Sequence, residues 1–296
     1  MSPARVELGD NLEVCGRLYA EGLRCQLIYV DPPFGVGTTH GARTARGEAR
    51  GEVTTAAYED AFVGIESFLV ALRPRLAIFR ELLEPRGTLY LHLDHRTVHD
   101  AKVLADGVFG RGAFRGEIVW APGNGGRRGE GWTPTHQTIL VYTRDDRQRG
   151  DFVFHGLREP YAEESAKMHF RNVDERGRRY RVRKIGGREY RYFLDEGRRM
   201  GTVWTDLPAM AANTPFARET TGYPHQKPEG LLERIVRASS DEGACVGDFF
   251  CGSGTTLAVA KRLGRSVVGC DASPLAIEVT KRRLFGRDPA LLEVGS

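Results

Sequence analysis

No apolar run in the 296 residues approaches the roughly 18 that a membrane-spanning helix needs, and Met1-Ser2-Pro3-Ala4-Arg5 leads into polar sequence, not the apolar stretch of a secretory leader. The expectation is a cytoplasmic protein with no membrane partner. Cysteine is sparse: Cys15, Cys25, Cys245, Cys251 and Cys270 are odd in number and contain no C-x-x-C pair, so neither a disulfide framework nor a thiolate zinc site is indicated, and no metal site is expected. There is no Gly-Lys dipeptide, which excludes a P-loop, and no Gly-x-Ser-x-Gly, which removes the elbow of a serine hydrolase. Charge of one sign is barely in excess, at 43 Lys+Arg against 39 Asp+Glu. That balance permits a polyanionic partner without requiring one.

What is present is an alternation. Periodicity predicts a strand over 25–30, a Gly/Thr/Arg-rich stretch from Gly35 to Thr55 that reads as a mobile loop, and a long amphipathic helix over 60–83 with Pro74 as a kink or break. A strand at 88–93, a helix at 97–108 and strands at 117–120 and 139–142 follow. Beyond residue 220 come a helix (228–239), a strand into a Gly-x-Gly turn, a helix from about Thr255, a strand (265–270) and a helix (274–284). Strands alternating with helices at both ends imply an α/β protein with a mostly parallel, Rossmann-like sheet covered on both faces. Residues 122–220 break the rhythm and read as an insertion into a domain built from 1–121 and 221–296.

Directly after the first of these strands stands Asp31-Pro32-Pro33-Phe34. Open α/β sheets place their ligand crevices at such strand ends. Two prolines fix φ and push the residues before them into extended geometry, holding the Asp31 carboxylate and the Pro32 carbonyl as neighbouring acceptors. Such a pair suits an exocyclic amino group on a nucleobase, a poor nucleophile until acceptors on its hydrogens favour a localised lone pair that can attack a methyl group. Phe34 offers a stacking face for a base swung out of a duplex. The competing explanation is a plain turn after a buried strand, although the string arises by chance in only about one chain of this length in a few hundred.

Phe249-Phe250-Cys251-Gly252-Ser253-Gly254-Thr255 forms a strand-turn-helix junction in which glycines allow close approach to a ligand. Past another strand, Asp271 holds the position at which nucleotide folds place a carboxylate on ribose hydroxyls. Leu257 stands where a dinucleotide fingerprint needs its third glycine, which counts against NAD. A ribose-binding sheet edge without a pyrophosphate grip suits S-adenosylmethionine. Cys251 reads as a small cofactor-lining residue, and the cluster His92, Asp94 and His95 as structural hydrogen bonding.

Taken together these residues resemble the bacterial DNA amino-methyltransferases that make N6-methyladenine or N4-methylcytosine, specifically their circularly permuted β group. The Asp31 tetrad precedes the glycine motif by more than 200 residues, whereas amine methyltransferases acting on protein or ribosomal RNA have the reverse order. Gly9-Asp10-Asn11-Leu12, Leu83 to Asp94, Phe114 to Trp120 and Thr138 to Thr143 are similar to further family segments. Tyr223-Pro224-His225-Gln226-Lys227-Pro228 is similar to a block usually reading Thr-Gln-Lys-Pro, with His225 for Thr, and Arg86 precedes Gly87 where Gly-Gly is commoner. The resemblance implies methyl transfer from S-adenosylmethionine to N6 of adenine in double-stranded DNA, with Asp31, Pro32, Pro33 and Phe34 catalytic. It implies that Asp10, Asp31, Lys227, Phe249, Phe250, Gly252, Ser253, Gly254, Thr255 and Asp271 hold the cofactor, Lys227 through its methionine carboxylate. N4-cytosine methylation is the nearest alternative, though such members more often carry Ser at the Asp31 position; a catalytically silent DNA binder is a third. A homodimer and a cognate restriction endonuclease are partners the family brings with it.

From Arg144 to Arg199 there are 16 Lys/Arg against 11 Asp/Glu, a net of +5 in a chain of +4, so the basic excess is local. Within it Tyr180 to Phe193 alternates and breaks at Gly186-Gly187, predicting a hairpin. In the family's target-recognition position, Arg181, Arg183 and Arg188 are expected on DNA phosphates or base edges; a solvated face is the plainer alternative. Arg43, Arg46 and Arg50 are a second basic group, expected either to close over DNA or to remain a solvated loop.

Overall fold

A computed structural model describes residues 3–33, 39–42, 55–59, 64–123, 131–146, 151–210 and 219–286, with 39–42 and 55–59 described by their backbone. The elements in chain order are β1 (Ala4–Leu8), α1 (Asn11–Ala20), β2 (Cys25–Val30), β3 (Thr39–Ala42), β4 (Thr55–Glu59), α2 (Ile65–Leu82), β5 (Leu83–Leu93), α3 (Val98–Phe109), β6 (Phe114–Trp120) and β7 (Gln137–Thr143). Then come β8 (Arg158–Glu159), α4 (Glu163–His169), β9 (Asn172–Val173), β10 (Arg179–Ile185), β11 (Arg188–Phe193), β12 (Arg198–Arg199) and β13 (Val203–Trp204). The last group is α5 (Glu229–Ser239), β14 (Cys245–Asp248), α6 (Thr255–Arg262), β15 (Ser266–Asp271) and α7 (Pro274–Phe285). Among the described residues no helix is long and apolar enough to cross a membrane.

Eight strands form one sheet in the order β1-β15-β14-β2-β5-β7-β6-β13. Only β7 runs against its neighbours. Every residue of β2 is buried, as a parallel strand covered on both faces requires. One face packs on α1, α2 and α3 through Leu18, Phe68, Leu76, Phe79 and Leu104. Helices α5 and α6 contribute their own fully buried set, Leu231, Leu232, Ile235, Val236, Leu257 and Val259. Tyr90 Oη and Ser239 Oγ, 2.7 Å apart, tie β5 to α5.

Two expectations change. Pro74 does not break α2, which runs unbroken over 18 residues. The ring would disturb the carbonyls one turn earlier; Val70 lies on the solvent side, and the Ala71 carbonyl accepts from Arg75 Nη1 at 2.9 Å. The Gly/Thr/Arg-rich stretch carries β3, paired antiparallel with β4, which starts at Thr55 where the stretch ends, although most of the stretch, with Arg43, Arg46 and Arg50, lies outside the described residues.

The chain divides into two compact units, residues 1–154 with 202–296, and residues 155–201. The second lies within the 122–220 stretch. It holds a three-stranded antiparallel sheet, β11-β10-β9, and the short pair β12-β8. Gly186 and Gly187, at φ 55° and 78°, make the two-residue turn between β10 and β11 that right-twisted strands favour.

Candidate active site

The carboxyl ends of β15, β14, β2 and β5 lie side by side, strand neighbours about 4.8 Å apart. They bring Asp271, Asp248 with the glycine turn, Asp31 and His92 to one sheet edge. Gly9 N donates to the Asp271 carbonyl at 3.0 Å, which sets Asp10 beside them.

Asp31 follows Val30 directly. Its Oδ2 accepts from Lys227 Nζ at 2.5 Å, with side-chain exposures of 19% and 8%. Its Oδ1 is buried and has no hydrogen-bond partner among the described residues. Pro32 is buried and Pro33 partly so; Phe34 lies outside the described residues. Lys227 is delivered by a braced turn. Gln226 Oε1 accepts from Thr221 N (2.9 Å) and Oγ1 (2.8 Å), its Nε2 donates to the Glu219 carbonyl (2.8 Å), and His225 takes a left-handed φ of 55°.

Asp271 accepts from Gly252 N and Ser273 N, each at 2.9 Å, and burial raises its carboxyl above the usual range. Asp248 is almost fully buried and accepts from Phe250 N at 3.2 Å. Burial, with smaller contributions from Asp31 and Asp271, pushes its carboxyl up to about 7. His92 is fully buried; its Nδ1 lies 2.6 Å from Tyr29 Oη, its ring meets Trp120 edge-on at 5.8 Å, and burial, followed by the Lys227 charge, pulls its pKa down to about 3. The ring is therefore neutral. Cys251 is buried and its thiol is pushed far up by that burial, so it holds no thiolate.

The glycine turn divides its labour. At Gly252 (φ 47°) the nearest atoms to the place of a Cβ are in the Tyr223 ring, 3.2 Å away, with the Phe250 carbonyl at 3.9 Å. Gly254 (φ 71°) is pressed on α7, where a Cβ would lie 2.6 Å from Thr280 Oγ1, so it serves packing. The missing third glycine is supplied by another strand: a Cβ on Gly269 of β15 would come within 2.5 Å of Leu257 Cδ1 and 2.8 Å of the Asp248 carbonyl. Leu257 thus seats α6 on the sheet where a glycine would otherwise do so.

The other sequence-selected residues separate in the same way. Phe249 turns into the core, stacked on Phe79 at 5.4 Å and fully buried, while Phe250 is only partly buried at the edge. Ser253 Oγ and Thr255 Oγ1 lie 3.0 Å apart, and Arg283 Nη1 donates to Thr255 Oγ1 at 2.9 Å. Asp10 caps α1 by accepting from Leu12 N (2.8 Å) and pairs with Arg75 at 2.7 Å. Arg75 and Tyr29 are not among the residues selected from sequence, and Asn11 stands there only within the segment Gly9-Asp10-Asn11-Leu12. Arg75 Nε also donates to Asn11 Oδ1 (2.7 Å), whose Nδ2 donates to the Phe249 carbonyl (3.0 Å). An Asn next to a helix cap and an Arg next to a helical proline were the available signals.

In residues 155–201, Arg183 and Arg188 are exposed near the hairpin turn. Arg181 is engaged otherwise: its guanidinium lies over the rings of Tyr161 (5.3 Å), Phe170 (5.2 Å) and Tyr192 (5.6 Å).

The family model for N6/N4 methyltransferases, described as DNA methylase, matches residues 25–282. Type II methyltransferase M.EcaI of Enterobacter cloacae is 27% identical over 330 residues, covering 95% of this chain and 69% of the relative. Type II methyltransferase M1.MboII of Moraxella bovis is 28% identical over 256 residues, 85% of each chain. Among solved structures, the M1.HpyAVI–SAM complex superposes with a TM-score of 0.56 at 16% identity, over 95% of this chain and 99% of that one. PvuII DNA methyltransferase, cytosine-N4-specific, also gives 0.56, at 14% identity over 96% and 87%. These two establish the shared fold, and the match over most of the chain establishes the family: the protein belongs to the N6/N4 methyltransferase family of DNA methylases.

Proposed function

We propose that the protein transfers the methyl group of S-adenosylmethionine to N6 of adenine in duplex DNA, as a circularly permuted, β-group member of its family. The observation that carries this reading is Asp31 Oδ1: a buried carboxylate oxygen without a partner among the described residues, beside the Pro32 carbonyl at a strand end. Such an atom is costly unless something donates to it. The amine of a base swung out of the duplex supplies the donor.

The described residues fit the cofactor. Gly252 puts no side chain beside the Tyr223 ring, Phe250 is only partly buried at the same edge, and Asp271 retains lone pairs for ribose hydroxyls after accepting two backbone N–H groups. Asp31, Asp248 and Asp271 set a carboxyl-rich edge where a cation is to be held. Bound there, S-adenosylmethionine supplies a methyl group activated by a positive sulfonium.

The chain's residues do the rest. Asp31 Oδ1 and the Pro32 carbonyl accept the two amine hydrogens, so the lone pair gathers on nitrogen and points at the methyl carbon; the surplus proton on the methylated nitrogen is then held against Oδ1. Phe34 stacks on the base. No thiolate takes part, so transfer is direct, with no covalent enzyme intermediate. Asp31, in place of the Ser commoner in N4-cytosine members, favours adenine. Residues 122–220 serve as the target-recognition region, with Arg183 and Arg188 on DNA; a second copy of the chain and a cognate restriction endonuclease are the protein partners to test.

Modification-sensitive sequencing of DNA from cells expressing the protein tests the reading. N6-methyladenine at one short sequence is expected, absent with Asp31→Ala. N4-methylcytosine would replace the base assignment, and unmodified DNA would overturn the activity.

A further inference from the structure

Lys227 stands 196 positions from Asp31 in sequence and 2.5 Å from it in space. A buried ammonium is retained only where it is paired, and the turn that delivers it is built for the purpose: Gln226 is bonded three times within it, and His225 takes a φ that residues with a Cβ seldom adopt. The pair uses one carboxylate oxygen and leaves the other buried and open.

We propose that Lys227 is a positioning residue for methyl transfer, its ammonium holding Oδ2 of Asp31 so that Oδ1 is the one carboxylate oxygen presented to the target amine. This rests on the function proposed above and replaces the cofactor role that the family block implies for Lys227. The geometry does two things. It removes the rotation by which a free carboxylate would exchange its oxygens, so the acceptor is aligned before the base arrives. It also sets a positive charge against an edge that crowds acids together. Among the described residues, those facing Asp31 besides Lys227 are Tyr29 on its own strand, Asp248 on β14, and His92 on β5, with Asp271 on β15 beyond Asp248. None of these is a cation, since His92 is held neutral.

The test compares Lys227→Met, Lys227→Arg and the double variant Asp31→Asn/Lys227→Met. Two quantities are read: single-turnover transfer into duplex DNA at saturating cofactor, and calorimetric Kd for S-adenosylmethionine. In Lys227→Met the saturated rate at neutral pH should fall by about 10²-fold. Cofactor Kd should change by less than about threefold. Lys227→Arg should recover part of the rate. Should Lys227→Met fold poorly, the double variant, which removes both charges, decides: it should bind cofactor as Asp31→Asn does. A normal saturated rate with Kd raised about tenfold or more, or weaker cofactor binding in the double variant than in Asp31→Asn, would assign Lys227 to the cofactor and overturn the proposal. A wild-type rate in Asp31→Ala would instead remove the amine-acceptor reading beneath it.

Discussion

At the carboxyl edge of the sheet, charged groups are buried and answered by backbone. Asp271 takes two N–H groups, Asp248 takes one, and Lys227 is shut in with Asp31. In residues 155–201 the ratio is inverted. Arg183, Lys184, Arg188 and Glu189 are exposed, and the buried contacts are aromatic, with Tyr161 and Phe170 4.5 Å apart and Arg181 laid over both. The first region holds a few polar atoms in one geometry, which chemistry at a single nitrogen demands. The second keeps its charges on long, solvated side chains, which suits a polyanion whose affinity is set by how many phosphates are met.

The contrast should break first at Asp31. Asp31→Ala removes an acceptor poised where charge develops, so single-turnover transfer should drop by about 10²-fold or more while folding and duplex affinity persist. A near wild-type rate would put the chemistry elsewhere.

Two glycines sharpen it. Gly254→Ala meets both a left-handed φ and Thr280 at 2.6 Å, so its stability loss in denaturant titration should reach about 2–4 kcal/mol. Gly187→Ala shares the φ but faces open space, and should cost about 1–2 kcal/mol within its own unit. Equal losses would mean that the edge is no tighter than the hairpin.

Titration supplies a third comparison. Burial raises Asp248 to about 7 in the folded chain from its ordinary 3.8, so between these values the folded state holds a proton that the unfolded state has released. Stability from this group is therefore full below about pH 4 and is lost as pH rises toward 7. Asp248→Asn should flatten that decline in Tm.

The smallest effects belong to the hairpin. Arg183→Gln with Arg188→Gln should reduce the slope of log affinity against log salt by up to about 0.9 per lost phosphate contact, leaving cofactor Kd in place. Arg181→Ala should leave that slope alone and loosen residues 155–201 by about 1–2 kcal/mol, measured by hydrogen exchange. A slope change from Arg181 alone would reverse these roles.

Much of this was legible beforehand because it is local. The strand at 25–30, the turn at Gly186-Gly187 and the helix from Thr255 follow from period and turn chemistry within a few residues, and Asp31-Pro32-Pro33 marks a strand end by itself. What escaped is non-local. The unbroken path of α2 through Pro74 depends on a solvent-facing turn and the Arg75 side chain. The packing role of Gly254 depends on Thr280, that of Leu257 on Gly269 of the next strand, and the burial of Phe249 on Phe79. Arg181 looked like its neighbours in a basic strand until Phe170, eleven positions earlier, came over its guanidinium. Patterns report which face is apolar but not which distant residue fills it.

The strand order also has a consequence for synthesis. β1 and β2 follow one another closely in the chain, yet they are not neighbours: β14 and β15, translated more than 200 positions later, lie between them. Until those two strands leave the ribosome, β2 has a bare parallel edge whose partner does not yet exist, and β1 has no sheet to join. The strands β2, β5, β7 and β6 can assemble early; the edge that carries Asp248 and Asp271 cannot. A nascent chain arrested before residue 245 should therefore expose an apolar, unpaired β2 edge and recruit chaperones or self-associate. The order of manufacture thus makes the acid-rich end of the sheet the last part to close.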